Sequence, residues 1–358
     1  MTSRFACTLL AGVFAIPGLS LAAGPLSAEF AHKDWELACD NTGTCRAAGY
    51  HAGMDGPAVS LLLVRSAGAG QQVTARIQIG SATDEDKELA KGVATLAIRV
   101  DGRNVGTVGL VPGAQGSPLS SVALDALMPA LLHAKSVDWV SGKRTWTLST
   151  AGASAVLLKM DEFQQRIGTV GAIVRKGSKP EDGVLQPVAA PVVIAAPVPK
   201  EGKEPVLRPA QRAALLQELR KMASVDACGG LHGAPPDDPE PELEVQRLSG
   251  NRLVASVVCE LFAYNRSNMF WVINATQPFA PVMVSDTGTF YKNGVISLDQ
   301  KGRGIGDCWT GEKWTWNGAG FVLTSAFTTG MCKLVAGGGA WELPTYVTTV
   351  RQGGVQTP

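Results

Sequence analysis

The chain has 358 residues, with 32 lysines and arginines against 31 aspartates and glutamates, and 45% of its residues are hydrophobic. That length and apolar content are sufficient for two domains, each with its own core. The balanced charge excludes the basic excess that nucleic-acid binding requires, and no acidic tail or polybasic membrane patch occurs.

The first 23 residues have the three-part pattern of a secretory signal peptide. Arg4 gives a basic start, residues 5–21 are apolar, and small residues follow at Ala22 and Ala23. A transmembrane anchor is the alternative, but Pro17 interrupts the run, which is short for the roughly 20 residues that a spanning helix needs. We therefore expect a periplasmic or secreted protein without a transmembrane span in its mature form.

Removal of the signal peptide removes Cys7 and leaves six cysteines. An even number in an exported chain indicates disulfides rather than catalytic thiols. Their grouping favours three pairs among the 15 possible pairings: Cys39 with Cys45, Cys228 with Cys259, and Cys308 with Cys332. No CxxC or paired-histidine spacing accompanies them, so no metal site is predicted.

Residues 29–175 are predicted to form a first β-rich domain with helices. Short apolar or alternating runs such as "VSLLLVR" and "ATLAIRV" indicate antiparallel strands. "LSSVALDALMPALLHAK" has helical spacing, with Pro129 kinking the helix or starting a second turn. Strands are predicted again at "RTWTLST" and "SAVLLKM". The apolar residues of 163–174 then predict a closing amphipathic helix: Phe163, Ile167, Val170 and Val174.

Residues 176–209 are rich in proline and alanine and lack aromatics, which predicts a semi-extended linker. Residues 210–352 are predicted to form a second domain, a tryptophan-rich β-domain with two disulfides. It opens with the helix "PAQRAALLQELRKMAS", for which Pro209 suits the first position. The expected fold class is therefore mainly β with a few helices, an α+β protein in two β-rich domains.

The glycine-rich stretch "KGRGIGDCW" does not match a dinucleotide-binding fingerprint, because Asp307 occupies the position of the third glycine. Further along, Asn317-Gly318 separates two alternating runs and predicts a tight β-hairpin. Cys308 and Cys332 would tie the flanks of this hairpin together.

Conventional catalytic patterns are missing from the sequence. The four histidines, His32, His51, His133 and His232, have no ligand spacing, and no GxSxG or P-loop occurs. The acidic stretch "PPDDPEPELE" has oxygen ligands suited to calcium, but it lacks the ligand order of an EF-hand and favours a solvated loop. We predict no catalytic residues, no metal and no cofactor.

Four residues are the candidate ligand contacts, a cationic and aromatic set of the kind that dominates binding hot spots: Arg266, Arg303, Trp309 and Trp314. Lys301 and the alternating pair Phe262 and Tyr264 are expected nearby. The alternative is that these aromatic side chains fill a core, as most aromatic residues on strands do.

The segments "KDWELACDNTGTCRAAGY", "CELFAYNRSNMFWVIN" and "KGRGIGDCWTGEKWTWNGAGFVL" resemble the DUF-1176 family of proteobacterial exported proteins. The first domain also resembles the invasion-associated locus B proteins, through Asp34, Trp35 and Cys39 and the run "GVATLAIRVDG", although it lacks their further cysteine pair. The resemblance implies a periplasmic or secreted protein with a disulfide framework and no established enzymatic activity.

These observations favour a non-enzymatic, exported envelope protein that binds a macromolecule or a glycan. An alternative is an inhibitor of a hydrolase such as lysozyme, acting through a disulfide-closed loop that loses little entropy on binding. A glycan-active enzyme would need a carboxylate pair, for which Asp307 and Glu312 are the candidates.

Overall fold

The structure is a computed structural model, and it describes residues 27–353 except 55, 112–114, 135, 200–204 and 234–240. The predicted signal peptide lies outside the described residues, as do Asp237, Asp238 and Glu240 of the acidic stretch. Within the described ranges, no helix has the length and apolarity needed to cross a bilayer.

The first half of the chain forms two antiparallel sheets and three helices. In chain order its elements are β1 (Ala28–His32), β2 (Trp35–Cys39), β3 (Cys45–Tyr50), β4 (Val59–Arg65), β5 (Thr74–Ile79), α1 (Asp84–Ala90), β6 (Thr95–Val100), β7 (Arg103–Gly109), β8 (Ser117–Pro118), α2 (Ser121–His133), β9 (Val137–Ser141), β10 (Arg144–Leu148) and α3 (Ala153–Phe163). One sheet has the order β1-β2-β3-β4-β5-β8 and the other the order β10-β9-β6-β7.

Strand β4 shows how the sequence places two cores on one sheet. Because successive side chains of a strand point to opposite faces, Leu61 and Leu63 belong to a core that also holds Trp139 and Leu157. Leu62 faces the other way, into a cluster that contains Trp341. The apolar run "VSLLLVR" is therefore buried on both faces, which explains why it does not alternate.

Helix α2 is confirmed, and Pro129 lies inside it without ending it. Ser120 caps its start, because the Ser120 side chain accepts a hydrogen bond from the Ala123 N–H. Leu124, Leu127 and Leu131 are buried against the sheets, as the helical spacing predicts.

Two predictions around residue 160 are wrong. The run "SAVLLKM", predicted as a strand, lies in α3, because Val156, Leu157 and Met160 share one buried helical face. The helix predicted over 163–174 is absent, and turns replace it. Gln165, with φ 58°, takes the left-handed conformation that ends a helix.

The second half adds three further sheets. Its elements are β11 (Val192–Ala195), α4 (Pro209–Arg220), α5 (Gly229–His232), β12 (Leu243–Arg247), β13 (Arg252–Leu261), β14 (Arg266–Asn274), β15 (Val282–Gly288), β16 (Phe290–Lys292), β17 (Val295–Lys301), β18 (Trp309–Trp316), β19 (Phe321–Thr328), β20 (Leu343–Val347) and β21 (Thr349–Gln352). The sheets are β12-β13-β14-β15, β16-β17-β18-β19-β20 and the parallel pair β11-β21. The expected mainly β class is confirmed, and the leading helix α4 begins at Pro209 as predicted.

The three predicted disulfides are confirmed: Cys39–Cys45, Cys228–Cys259 and Cys308–Cys332. The predicted hairpin is also confirmed, since β18 pairs antiparallel with β19. Its loop is residues 317–320 rather than a two-residue turn. Gly318 has φ 96°, whereas Asn317 does not take a left-handed conformation. The Asn317 side chain accepts hydrogen bonds from the N–H groups of Ala319 and Gly320 instead.

The segment predicted as a linker makes contacts with both halves of the chain. The Val188 N–H donates to the Thr42 carbonyl, and the Ala196 N–H donates to the Trp316 carbonyl. Strand β11 lies within the segment and pairs with β21. The division into two domains stays a prediction.

Residues just before β20 pack on the face of the first sheet. Trp341, which is 2% exposed, contacts the cluster of Ala48, Tyr50 and Leu62. Its indole N–H donates to the Ser60 hydroxyl at 2.7 Å. The second half of the chain thus buries an apolar face of the first half.

Candidate binding groove beside a disulfide-closed loop

A groove of about 640 Å³ opens where β13, β14, β16, β17 and β18 meet. We call it the aromatic groove. Its lining residues are Phe262, Tyr264, Asn265, Arg266, Thr289, Phe290, Asp299 and Trp309. Its volume lies within the range of about 300–1,000 Å³ that is typical of small-molecule sites.

The aromatic side chains of the groove are unusually exposed for residues of their size. Phe262 is 59% exposed, Phe290 is 47% exposed and Tyr264 is 46% exposed. In contrast, Trp271 and Trp316 are fully buried. Neighbouring exposed aromatic side chains, rimmed by polar groups, mark a ligand site more often than an incomplete core.

The turn between β13 and β14 is fixed to the end of β17 by the Asn265 side chain. Its amide nitrogen donates to the Lys301 carbonyl at 3.0 Å, and its amide oxygen accepts from the Lys301 N–H at 2.9 Å. The Gln300 side chain also donates to the Arg266 carbonyl at 3.0 Å. These hydrogen bonds hold Phe262 and Tyr264 in place although the turn is at the surface.

Residues 302–307, between β17 and β18, form a loop beside the groove, which we call the stapled loop. None of its residues lines the groove itself, but Gly304 lies next to Tyr264. The disulfide Cys308–Cys332 anchors the residue that follows the loop, and the Gly302 N–H donates to the Cys308 carbonyl at 2.9 Å, which closes it. The glycines of this loop lie between two strands rather than at the start of a helix. A phosphate-binding helix terminus is therefore not formed here.

A buried carboxylate anchors the stapled loop from below. Asp307 is 1% exposed, and its two oxygens accept from the Arg303 guanidinium at 2.7 and 2.5 Å. It also accepts from the Leu334 N–H at 2.6 Å. Burial opposes ionisation of Asp307, but these donors outweigh it and lower its pKa. Arg303 is thus engaged with Asp307 in a contact that stabilises the loop.

Trp309 connects the stapled loop to the groove. Its indole N–H donates to the Gly306 carbonyl at 2.9 Å, and Lys301 Nζ lies 5.3 Å from the ring centroid, within cation–π range. One side of the ring is therefore fixed by the loop and by a cation, and the residue lines the groove on its remaining side.

The groove contains one guanidinium and one carboxylate. The Nε of Arg266 donates to the Asn268 side chain at 3.2 Å. Burial raises the pKa of Asp299, while the positive charge of Lys313 acts in the opposite direction. Since no ion pair joins these two described side chains, both have polar atoms available to a ligand.

The structure brings together two of the four predicted contact residues, Arg266 and Trp309. Arg303 is held by Asp307, and Trp314 packs half-buried in a cluster with Ile296 and Trp316.

Phe262 and Tyr264 lie near Arg266 as expected, although in a turn rather than on strand β13. Sequence reasoning missed Phe290 and Asp299. Their spacing gives no signal, because only the pairing of β16 with β17 brings them to the groove.

Two further acidic residues, Asp307 and Glu312, were candidates in the sequence. Asp307, Cys308 and Cys332 lie together, but both sulfur atoms belong to a disulfide and offer no thiolate to a metal. Glu312, the other carboxylate of the predicted pair, lies on β18, where burial and then the negative charge of Asp286 raise its pKa.

Comparison with known proteins places the chain in a family. Residues 29–348 match the family described as "Protein of unknown function (DUF1176)", and the chain belongs to it. A relative is the uncharacterized protein YpfG of Escherichia coli (strain K12), which is 25% identical over 340 residues, 88% of this chain and 91% of YpfG. No solved structure matches.

Proposed function

We propose that this is an exported protein of the cell envelope that binds a glycan in the aromatic groove and catalyses no reaction. The observation that carries the proposal is the group of exposed aromatic side chains, Phe262, Tyr264 and Phe290, in one groove with Arg266 and Asp299.

The aromatic and charged side chains of the groove are complementary to the faces and the hydroxyl groups of a sugar ring. A pyranose has apolar C–H faces that pack on aromatic rings, and its hydroxyl groups hydrogen-bond in the ring plane to charged side chains. A guanidinium donates to these hydroxyls and a carboxylate accepts from them. A purely apolar ligand would leave Arg266 and Asp299 without partners, which is unfavourable on desolvation.

The groove is also preorganised. Hydrogen bonds from Asn265 fix one wall. The Cys308–Cys332 disulfide and the Arg303–Asp307 ion pair fix the stapled loop, to which the groove residue Trp309 is hydrogen-bonded. Binding therefore orders few residues, so less of the interaction energy is lost to entropy.

Export is supported by two observations from different parts of the chain. The first 23 residues have the pattern of a signal peptide. The described residues contain three disulfides, which persist in oxidising compartments such as the periplasm.

The test is calorimetric titration of the oxidised protein with soluble glycan strands of peptidoglycan, and with malto- and laminari-oligosaccharides as neutral comparisons. We expect at least one of these glycans to bind. Its affinity should fall about tenfold or more in Arg266→Ala and in Phe290→Ala. The matched control is Arg103→Ala, since Arg103 is exposed on β7 in the first half. No binding to any of the glycans, or equal binding by all variants, would contradict the proposal. If this protein captures an envelope protein and binds none of the glycans, its ligand is a protein.

A second candidate is inhibition of lysozyme by the stapled loop. The observation that favours it is Ile305, which is 58% exposed in this closed loop. Inhibitory loops are rigid and present one such side chain to an enzyme cleft. A lysozyme assay with the protein and with Ile305→Asp separates the two functions, because Ile305 is not among the residues that line the groove.

A further inference from the structure

A second cavity lies in the first half of the chain and shares no residue with the aromatic groove. It has a volume of about 610 Å³ and opens between α2 and the turn of residues 170–176. We call it the α2 cleft. Its volume, like that of the groove, is within the range of small-molecule sites.

Each long wall of the α2 cleft carries an apolar stripe, while polar side chains such as Gln71 and Gln72 also line the cleft. One wall is a stripe of α2 with a spacing of four residues, formed by Leu124, Met128 and Leu132. The opposite wall includes Val170 and Ile173. Val170 is 61% exposed, so the fold leaves apolar surface open on this wall.

A buried ion pair holds the second wall in place. Asp161 accepts hydrogen bonds from the N–H groups of Ile173 and Val174 at 2.8 and 2.9 Å. Its other oxygen pairs with Arg65 at 2.7 Å, and both side chains are at most 1% exposed. Arg65 in turn donates to the Gly171 carbonyl at 3.2 Å. These hydrogen bonds fix the second wall to α3 and β4, so this wall is a preformed feature of the fold.

One cation of the α2 cleft is available to an anionic group on the ligand. Two of its charged residues are neutralised within the protein, since Arg65 pairs with Asp161 and Glu181 pairs with Arg166. Lys176 directly follows the second wall, is exposed, and takes part in none of the ion pairs found among the described residues. Asp125, in the first half of α2, is a negative charge that balances Lys176 in number, and His133 at the end of α2 also lines the cleft.

We propose that the α2 cleft binds a single-chain amphiphile, with its acyl chain between the two apolar walls and its anionic head group at Lys176. Each methylene that is buried between the apolar stripes of the two walls stabilises such a complex. A fatty carboxylate and a lysophospholipid share this chemistry. The inference does not depend on glycan binding, because the two sites have no residue in common.

The experiment uses the oxidised full-length mature protein and the fluorescent fatty acid cis-parinarate as the probe. We expect saturable binding, with displacement by dodecanoate and weaker displacement by dodecanol, which lacks the charge. Lysophosphatidylglycerol, tested in a separate arm, shows whether the head group is a free carboxylate or a phosphodiester. Lys176→Glu should weaken dodecanoate about tenfold and leave dodecanol unchanged. Lys143→Glu, an exposed lysine in the turn between β9 and β10, is the matched control.

Two further variants test the position of the chain. Met128→Trp fills the cleft from α2, and Val170→Asp places a charge on its opposite wall at an exposed position where folding is not at risk. Both should reduce probe binding about tenfold or more. The proposal is wrong if the wild-type protein shows no saturable binding at micromolar probe, or if Val170→Asp binds as tightly as wild type.

Discussion

Glu36 and Met331 are 295 positions apart in the chain, and the Glu36 carboxylate accepts a hydrogen bond from the Met331 N–H at 2.7 Å. The same carboxylate oxygen accepts from the Tyr50 hydroxyl at 2.5 Å. Strands β2 and β3 of the first half are thereby attached to the segment that precedes β20. Stability of the whole chain should depend on this contact.

Substitution Glu36→Gln should change how stability responds to pH. Burial raises the pKa of Glu36 above 4.5, and the hydrogen bonds from Tyr50 and Met331 only partly oppose it. The folded state therefore binds a proton more readily than the unfolded state, and this group lowers stability as pH rises from 4.5 through its folded pKa. A glutamine cannot ionise, so the melting temperature of the variant should rise relative to wild type over that interval. A constant difference between pH 4 and pH 7 would contradict this assignment.

Substitution Trp341→Ala should destabilise the protein by about 3–5 kcal/mol, the usual loss for a large buried aromatic side chain. Trp341 is 2% exposed and also donates a hydrogen bond to Ser60. Urea unfolding monitored by circular dichroism measures the loss. Trp314→Ala is the comparison, since Trp314 is only half-buried and should have a smaller effect. Equal losses for both variants would show that Trp341 does not hold the two halves together.

Substitution Arg303→Ala should destabilise the protein by about 1–3 kcal/mol, because it leaves the buried Asp307 carboxylate without its main donor. Arg266→Ala should change stability little, since the Arg266 side chain is half-exposed and is linked to Asn268 by one hydrogen bond. Thermal unfolding of the two single variants distinguishes these roles. A melting temperature for Arg303→Ala equal to wild type would show that the ion pair contributes nothing to stability.

The same ion pair has a pH signature. The pKa of Asp307 is lowered in the folded state. The contribution of its ionised form to the free energy of unfolding is therefore present above pH 3.8 and is lost as pH falls through the folded pKa. Asp307→Asn should therefore be destabilised at pH 7 and approach wild type in strong acid.

Removal of the disulfide Cys308–Cys332, by alanine at both positions, should cost about 3 kcal/mol in the chain-entropy model. Its loop separation is 24 residues, against 31 for Cys228–Cys259, so the two disulfides should contribute similarly to stability. Only Cys308–Cys332 anchors the stapled loop, through the residue that follows it. Glycan affinity should therefore fall when Cys308–Cys332 is removed and persist when Cys228–Cys259 is removed, as measured by calorimetry below the melting temperature. Equal effects on affinity would show that the stapled loop does not position the residues of the groove.

Limited proteolysis tests the segment of residues 176–199. A flexible proline-rich linker is cut readily by nonspecific proteases. Here the backbone of Val188 and Ala196 is hydrogen-bonded to the two halves, and β11 is paired with β21. We expect this segment to resist thermolysin under native conditions, with mass spectrometry locating the cuts. Early cleavage between 179 and 198 would favour separate domains.

The fold class, the disulfide pairing and helices α2 and α4 could be predicted from local patterns. Cysteine grouping along the chain matched contact in space because each pair closes a short loop. The α3 region could not be predicted, because "SAVLLKM" is apolar enough for either state and the buried helical face of Val156 and Met160 is decided by tertiary packing.

In the candidate site, too, residue types could be predicted from the sequence, whereas contacts between distant segments could not. Arg266 and Trp309 could be predicted as contact candidates from their residue types, and both line the groove. The role of Arg303 depends on Asp307, which also accepts from the Leu334 N–H of a distant segment. Phe290 and Asp299 reach the groove through strand pairing. Composition identified the kind of surface, and contacts between distant segments decided which side chains form it.

The packing of residues 331–343 on the first sheet has a consequence for the order of folding. Ala48 and Leu62 are covered by Trp341, which follows them in the chain by 293 and 279 residues. Since the chain is synthesised from its N-terminus, this apolar face of the first sheet stays uncovered until the segment around Trp341 has been made. Such long-range contacts slow folding. We expect the native state to be reached only after Trp341 has been synthesised, and the incomplete chain to be a client for a chaperone that shields apolar strands.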